Sequence, residues 1–523
     1  MAGQATVRAR RWSGRLRWIY CAPLLLMLTL GAWSFASPVG AGPDDDFHLA
    51  SVWCSRGGTV ACTPGQHADD RMMSVAFRNS VCYARIQSRS AHCQDALGLE
   101  LDGEKWLTNR GNFHHDYPAP YYATMRVFAG DDLTTGALTM RLVNSAVFVA
   151  LATALAFLLA PSRRQTLLWG WLVSLIPLGM FLVASNNPSG WSITGVGTTY
   201  LAALGWFETR GRRRLGLAAL YLVGVLMAAG SRADAGLYAV GASIIAGLLT
   251  FEPTRQWRLA ALLPLAGVVL ALALFASTDI GGVAMVQPDD GGAVDGPGEV
   301  SALAPTAGVA LAIYNLMQLP DLWTGIWGTW GLGWLDTPVP AVVPWGMAVA
   351  FALVVFAGLS HLNLRKAICV GGVVAVLVAL PVFLLTRAGN RVGEVVQPRY
   401  FLPLLLLLAL VALTALPGAR VVRLTRVQTA AILVVMAAAN SVSLQVNIRR
   451  YVTGTDHQGL NLDAGKQWWW HDAVMGPTAV WALGSAAFAG LLVVLWPLLR
   501  RWTVGNAAVG ESRTGESPVL AAS

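Results

Sequence analysis

Long apolar stretches alternate with short polar loops along almost the whole chain. A helix needs about 20 predominantly apolar residues to cross the hydrocarbon core of a bilayer. The pattern therefore predicts an all-α polytopic membrane protein with about twelve transmembrane helices. These predicted helices lie near residues 18–37, 140–160, 165–184, 191–207, 215–230, 235–250, 259–277, 341–360, 367–386, 400–417, 427–446 and 477–499.

Three polar segments between the predicted helices are too long to be simple connections: residues 38–139, 278–340 and 447–476. We expect the first to fold as short helices and loops on the membrane surface. The second begins with the Gly/Asp/Pro-rich stretch "QPDDGGAVDGPGE", which is typical of a mobile loop. The transmembrane domain thus covers residues 18–499, between a basic N-terminal segment (1–17) and a tail (500–523) that we expect to be disordered.

The distribution of charge predicts how the chain is oriented. Of 523 residues only 12% are charged and 55% are hydrophobic, whereas a soluble protein has about 25% charged residues. The net charge of +9 could suggest a nucleic-acid partner, but the basic residues collect in short loops such as "SRR" and "TRGRRR". By the positive-inside rule these loops and both termini are cytoplasmic, so the three long segments face outward from the plasma membrane. The bilayer is then the expected partner and nucleic acid is not.

The first apolar stretch has a second interpretation. The sequence "SFASP" at its end resembles a signal-peptidase site, so the stretch could be a cleaved signal peptide. Its apolar run is longer than a usual signal core, which favours a retained helix.

Four of the six cysteines lie in the first long segment, at Cys54, Cys62, Cys82 and Cys93. Cysteines grouped in one external segment predict two disulfides in an oxidising compartment. Three pairings are possible and the sequence does not choose among them.

The predicted helices carry no Asp, Glu, Lys or His near their centres. Ion-coupled carriers usually need such residues as relays or ion sites, so their absence argues against that class. The sequence also contains no Walker loop and no zinc-spaced cysteine set, so nucleotide chemistry is unsupported.

An acidic triplet, Asp44 to Asp46, follows the first predicted helix, and His48 lies two residues beyond it. A carboxylate here could act as general base for an acceptor hydroxyl or help to hold a divalent cation. His48 could be a base, a ligand or a surface residue. The alternative is a hydrated loop that fixes the end of the helix.

Two further groups of polar residues are candidates for substrate contacts. His114, His115 and Asp116 precede an aromatic turn that begins at Tyr117; they could bind a metal or simply belong to a loop packed by tyrosines. Isolated external arginines also occur. Their planar guanidinium suits phosphate oxygens, although lone arginines near an interface commonly extend to lipid headgroups. These arginines are Arg232, Arg391 and Arg399.

Trp323, Trp327, Trp330 and Trp334 are spaced four, three and four residues apart, which predicts one face of a helix. Tryptophan favours the membrane interface, so the helix could lie in the headgroup layer or form an aromatic wall for a lipid chain or sugar ring. Trp468, Trp469 and Trp470 allow the same two interpretations.

Several short motifs together resemble those of an actinobacterial family of multi-pass membrane proteins of unknown function. The family's first motif, Pro-Asp-Glu-Pro-x-His, is matched with Asp45 in the Glu position and Asp46 in the place of Pro. The motifs are "PDDDFH" (43–48), "NNPSGW" (186–191), "SRADAGLYA" (231–239), "GLGWLDTPVP" (331–340) and "QPRYFLPLL" (397–405).

The family resembles GT-C-type glycosyltransferases, and this resemblance implies a function. Such enzymes use polyprenyl-phosphate sugars as donors and place an acidic catalytic base in the first external loop. Asp45, then Asp44, would be that base. The donor phosphate would be bound by Arg399, with Arg232 and Arg391 as further candidates, and His48, His115, Asp116 and Tyr117 would face the substrates. The acceptor would be an envelope glycan or glycolipid, with arabinofuranose or mannose as plausible sugars.

Two other functions remain open from the sequence. A transporter or flippase of lipid-linked glycans would need no catalytic base. A non-catalytic scaffold for envelope assembly would use the large external segments to bind partner proteins.

Overall fold

The computed structural model describes residues 18–57, 59–67, 69–278, 307–360, 362–415, 424–471 and 475–500. The predictions for the N-terminal segment 1–17, the Gly/Asp/Pro-rich stretch 287–299 and tail residues 501–523 concern residues outside these ranges. The elements in chain order are α1 (Ala22–Phe35), α2 (Asp45–Ser55), β1 (Cys62–Pro64), β2 (Arg71–Ser74), α3 (Ala76–Asn79), α4 (Cys93–Leu97), β3 (Lys105–Thr108), α5 (Ala119–Met125), α6 (Leu133–Leu158), α7 (Pro161–Leu175), α8 (Leu178–Val183), α9 (Ser189–Glu208), α10 (Arg212–Ser231), α11 (Ala233–Leu249), α12 (Arg255–Ala260), α13 (Leu262–Ala276), α14 (Gly308–Thr324), α15 (Val342–Gly358), α16 (Leu364–Ala388), α17 (Leu402–Leu413), α18 (Arg426–Val452) and α19 (Pro477–Arg500).

The all-α membrane class is confirmed. Within the described residues, six helical segments are long and apolar enough to cross a membrane: α6, α10, the consecutive α12 and α13, α16, α18 and α19. Four shorter apolar helices, α11, α15, α17 and α1 with the turn before it, correspond to other predicted segments. The segment predicted at 165–184 is divided between α7 and α8, and the one at 191–207 is α9, whose serines and threonines make it less apolar. The number twelve therefore stays a prediction.

The basic loops gather at one end of the helices. Arg163, at the start of α7, pairs with Glu208 at the end of α9 at 2.6 Å and donates to the Ala415 carbonyl at 2.7 Å. Arg365, at the start of α16, donates to the carbonyl of Phe251 after α11. The polar segment 38–139 connects the end of α1 to the start of α6, on the side of the helices away from the basic loops. The basic loops therefore lie at one end of the helices and the disulfides at the other.

The first long segment contains the predicted short helices, α2 to α5, and also a small sheet that the sequence did not predict. Strands β1, β2 and β3 pair antiparallel in that order, with Cys62 opposite Met73 and Met73 opposite Trp106. Strands of three or four residues are too short to show an alternating pattern. Both disulfides are present, and the pairing is Cys54–Cys62, which ties α2 to β1, and Cys82–Cys93.

The predicted tryptophan face does not form, and that interpretation was wrong. Helix α14 ends at Thr324, so only Trp323 lies on it, and the chain turns at Gly328 with a positive φ of 105°. Trp327 and Trp330 are buried in the core, and Trp334 donates to the Gly40 carbonyl at 2.8 Å. Glycines at positions 328, 331 and 333, all with positive φ, override the helical spacing.

Helices α9 and α10 pack closely because glycines face each other's backbones. A Cβ added to Gly195 would lie 2.4 Å from the backbone nitrogen of Ala228. Small residues of this kind allow close helix contact in membranes. We expect Gly195→Ala to lower the free energy of unfolding by about 1–3 kcal/mol through overpacking.

The matched control for this substitution is Gly241→Ala on α11, where an added Cβ meets nothing within 4 Å. Since alanine favours a helix over glycine, this variant should be neutral or slightly more stable, by up to about 1 kcal/mol. Thermal unfolding of both purified variants in detergent checks the prediction. Equal midpoints for the two variants would contradict it.

Candidate functional site

The acidic triplet lies where the chain turns into helix α2. Asp44 has left-handed backbone angles (φ 57°, ψ 28°), and its carbonyl accepts the first helical hydrogen bonds, from Phe47 and His48. Asp45 and Asp46 then occupy the first turn of the helix. A helix N-terminus favours negative charge, which reduces the cost of three adjacent carboxylates.

The three carboxylates point to different arginines, and this arrangement explains how adjacent like charges are accommodated. Each arginine comes from a different part of the chain. The nitrogen–oxygen distances are 2.5 Å for Asp44–Arg399, 3.7 Å for Asp45–Arg141, and 2.5 and 2.9 Å for the two contacts of Asp46–Arg110. Arg110 also lies 3.6 Å from Asp44.

Arg399 is a buried cation with unused hydrogen-bonding capacity. Its side chain is 3% exposed, and its Nη2 contacts Asp44 and the Tyr400 hydroxyl. Its Nε and Nη1 are buried and have no hydrogen-bond partner among the described residues. A buried N–H without a partner costs free energy, so the Nε and Nη1 nitrogens give Arg399 donor capacity that the described residues do not use.

A second arginine and two tyrosine rings surround this pair. The Arg232 guanidinium lies 4.3 Å from the Tyr400 ring centroid and 5.7 Å from that of Tyr117. Asp234 accepts from its Nε at 2.9 Å and from its Nη2 at 3.2 Å. Asp234 therefore already occupies one side of Arg232, and Arg399 is the arginine with more free donors.

His48 is a buried residue of the site, close to Asp44 in the chain. It is 1% exposed, its Nδ1 lies 2.9 Å from the Tyr122 hydroxyl, and the Tyr117 ring packs on it at 5.2 Å. Burial lowers the pKa of His48 to about 3 and raises that of Tyr117 to about 12. Both groups are therefore neutral near pH 7 and act as hydrogen-bonding and packing groups.

Asp45 is enclosed, unlike its neighbours. Its side chain is 0% exposed, and its Oδ2 accepts from the Gly42 N–H at 2.9 Å. Its Oδ1 has no hydrogen-bond partner in the described part of the chain. Arg141, opposite it, also donates to the carbonyls of Ser37 and Pro38 at 2.6 and 2.7 Å. This buried pair fixes the loop between α1 and α2.

The pKa values of the two neighbouring aspartates shift in opposite directions. Burial raises the pKa of Asp45 to about 6, against the opposing effects of Arg141 and the Gly42 N–H. Burial also acts on Asp44, but the charge of Arg399 above all outweighs it and lowers the pKa of Asp44 to about 2. Asp44, with 19% of its side chain exposed, is thus ionised and accessible.

This difference predicts a pH dependence of stability. Because the folded pKa of Asp45 lies above its ordinary value of 3.8, its favourable contribution is complete below about pH 4 and is lost as the pH rises through about 6. Between about pH 4 and 7 the free energy of unfolding should decrease by roughly 3 kcal/mol, which corresponds to a shift of about two pKa units. We expect Asp45→Asn to remove most of this decrease.

Asp44→Asn is the matched control for this measurement. The pKa of Asp44 is lowered, so its stabilising contribution is lost only as the pH falls through about 2, outside the measured window. Unfolding midpoints in detergent at several pH values give both slopes. An unchanged slope in Asp45→Asn would show that the buried carboxyl is not the group responsible.

The structure brings together most, but not all, of the predicted site residues. Asp44, His48, Tyr117, Arg232 and Arg399 form one cluster through the contacts given above, whereas the side chain of Asp45 points to Arg141 instead. Asp116 is half-buried, and its charge acts on the Tyr122 hydroxyl at the edge of the cluster. His115 is exposed and has a left-handed backbone conformation (φ 59°). It makes no hydrogen bond or ion pair within the described residues. Arg391 contacts Glu394, 4.0 Å away, in the loop after α16.

Sequence reasoning missed two important residues, Arg110 and Arg141. Arg141 did give a signal, because it is an arginine within an apolar segment, and such charges are seldom without a partner or function. Arg110 gave none, since its role arises from its contact with Asp46. Tyr400 could be noted beside Arg399 in the sequence, but not its contact with Arg232.

The sequence motifs converge on the acidic triplet. Asn187 of "NNPSGW" donates to the Pro43 carbonyl at 2.7 Å, and Trp334 of "GLGWLDTPVP" donates to the Gly40 carbonyl. The motifs around Arg232 and Arg399 supply the cluster described above. Motifs that are far apart in the chain therefore build one site.

A metal ion has no evident site among the described residues, which contain no group of three or more His, Cys, Asp or Glu side chains able to hold one. His114, from the predicted His-His-Asp run, contacts Asp69 at 3.4 Å.

Comparison with known proteins identifies the family. Residues 26–408 match the family model described as "Predicted membrane protein (DUF2142)". This match covers more than half of the chain, so the protein belongs to that family. No curated protein and no solved structure matches the chain.

Proposed function

We propose that the protein is a membrane glycosyltransferase that moves a sugar from a polyprenyl-phosphate donor to an extracytoplasmic cell-envelope acceptor. The observation that carries this proposal is the Arg399 guanidinium, which is buried, lies against Asp44 and keeps two nitrogens, Nε and Nη1, without partners among the described residues. The site combines a base and an anion-binding group, as sugar transfer from a phosphate requires. The resemblance of the family to GT-C enzymes supports the same reaction, as an analogy.

We place Asp44 ahead of Asp45 as the general base. A base must contact the acceptor hydroxyl, and Asp45 is fully enclosed whereas part of Asp44 is exposed. Asp44 accepts the acceptor's proton as the acceptor oxygen bonds to the anomeric carbon. The bond from that carbon to the phosphate oxygen breaks, and its electron pair stays on the departing polyprenyl phosphate. The acceptor attacks opposite the leaving group, so configuration inverts.

Arg399 links donor binding to the strength of the base. In the structure its charge lowers the pKa of Asp44 to about 2, which makes a weak base. A phosphate bound at Nε and Nη1 shares that positive charge and adds negative charge beside Asp44. Both effects raise the pKa of Asp44, so the donor strengthens the base that it needs. Arg399 then stabilises the charge that develops on the leaving phosphate.

The proposal includes an orientation. The site and the disulfides face the extracytoplasmic side of the plasma membrane, and both termini are cytoplasmic. The gathering of basic loops at the opposite end of the helices supports this orientation. A polyprenyl chain can then remain in the bilayer while its phosphate reaches Arg399.

Envelope analysis of a deletion strain tests the function in cells. We expect one sugar linkage to be missing from an envelope glycan and the unused lipid-linked sugar to accumulate on the outer leaflet. Accumulation on the inner leaflet would instead support a flippase. An unchanged glycan and an unchanged lipid pool would contradict both and favour a scaffold.

A further inference from the structure

A large cavity lies between the first polar segment and the chain around Trp469. Its volume is about 1340 Å³, and its walls come from the end of α2, the loop 98–102, the start of α6 and residues 469–471. Neither the acidic triplet nor Arg399 lines it. Trp53 and Arg56, at the end of α2, are among its walls, whereas the triplet is at the start of α2, roughly 15 Å away along an 11-residue helix.

The lining is negatively charged. Two of its acids are already engaged: Asp132 accepts from the Thr135 N–H, and Asp95 contacts His471 at 3.3 Å. Asp102 and Asp131 are exposed and make no hydrogen bond or ion pair within the described residues. An anionic wall disfavours a phosphate but offers acceptors to hydroxyl groups. Its acidic and basic members are Asp95, Glu100, Asp102, Asp131, Asp132, Arg56 and His471.

Aromatic side chains form the other part of the wall. Trp53 donates its indole N–H to the Gly130 carbonyl, and Trp470 donates to the Phe35 carbonyl. Trp469 is 8% exposed and lines the cavity, and its indole N–H has no hydrogen-bond partner in the described part of the chain. An apolar ring and carboxylates without partners in the lining of one cavity match a ligand that has both C–H faces and hydroxyl groups.

We infer that this cavity is a binding site for an uncharged glycan, held by the Trp469 ring and by hydroxyl hydrogen bonds to Asp102 and Asp131. The glycan carries no negative charge because the lining repels anions. The site is separate from the donor-phosphate site, so the inference stands whether or not the transfer reaction does.

Titration of the purified full-length protein in an uncharged detergent tests this site. The probes are mannohexaose and arabinohexaose, and isothermal calorimetry measures binding. We expect at least one of them to bind with a Kd of roughly 1 mM or below. Trp469→Ala, which removes the aromatic ring, and the double variant Asp102→Asn/Asp131→Asn should each weaken binding at least about fivefold.

Two control variants make the result specific. Asp456→Asn changes an exposed carboxylate that contacts His457 outside the cavity, and Arg399→Ala changes the donor-phosphate site. Both should bind the oligosaccharide as the parent does. The absence of binding by both probes, or equal binding by the parent and the two cavity variants, overturns the inference. Binding that survives in Arg399→Ala separates this site from the proposed reaction.

Discussion

Arg399→Ala is expected to reduce sugar transfer by about 10²–10³-fold, the usual cost of removing one group that stabilises developing charge. Arg399 is the buried guanidinium beside Asp44 whose Nε and Nη1 have no partner among the described residues, so its loss removes the group that we propose binds the donor phosphate. The pKa of Asp44 also rises, because the charge that lowers it is gone. The lower limb of the pH–rate profile should therefore move to higher pH, a change that a purely structural role would not cause.

Arg399→Lys and Arg391→Ala are the comparison variants for this prediction. Lysine keeps the positive charge but lacks the planar guanidinium, which can donate two parallel hydrogen bonds. We therefore expect it to restore only part of the activity. Arg391, another arginine predicted to be external, contacts Glu394, and its removal should change transfer only a few-fold. Equal losses in Arg391→Ala and Arg399→Ala would show that neither arginine is specific to the donor.

Asp44→Asn should lower the rate of transfer by about 10²–10⁴-fold, the usual contribution of a general base. The substitution keeps the shape of the side chain and removes only its ability to accept a proton. Donor binding should persist, because Arg399 stays in place and loses a competing anion. Rate measurements at saturating donor and acceptor, together with donor binding, separate the two effects.

The neighbouring aspartates provide matched controls. Asp46→Asn alters the pair with Arg110 and should leave most of the activity. Asp45→Asn should act mainly through stability, because Asp45 is enclosed and paired with Arg141. If Asp45→Asn abolishes transfer in a folded protein while Asp44→Asn stays active, the base is Asp45, and our order of the two residues is wrong.

Much of the fold could be predicted because a bilayer imposes a simple rule on sequence. Stretches of about 20 apolar residues become helices, and α10, α16 and α19 follow the predicted segments closely. The disulfide cysteines were equally clear from their grouping. The three short strands and the turns after Thr324 were not, since they depend on a few residues and on positive-φ glycines.

The residues of the candidate site could be predicted from their types, but the contacts between them could not. Asp44 and Arg399 were both identified as external polar residues, yet they are 355 positions apart and their contact is tertiary. The same holds for Asp45 and Arg141. Sequence alone ranked Asp45 first because it replaces the family's Glu, whereas burial now favours Asp44 as the base.

Transfer by the purified protein tests the central claim most directly. The full-length protein in liposomes is given a synthetic polyprenyl-phosphate sugar, labelled in the sugar, together with envelope glycan acceptors. We predict that label moves to the acceptor with inverted anomeric configuration, and that Asp44→Asn, folded and still able to bind donor, transfers almost none. Full transfer by Asp44→Asn, or movement of the intact donor across the bilayer without transfer, would contradict the account.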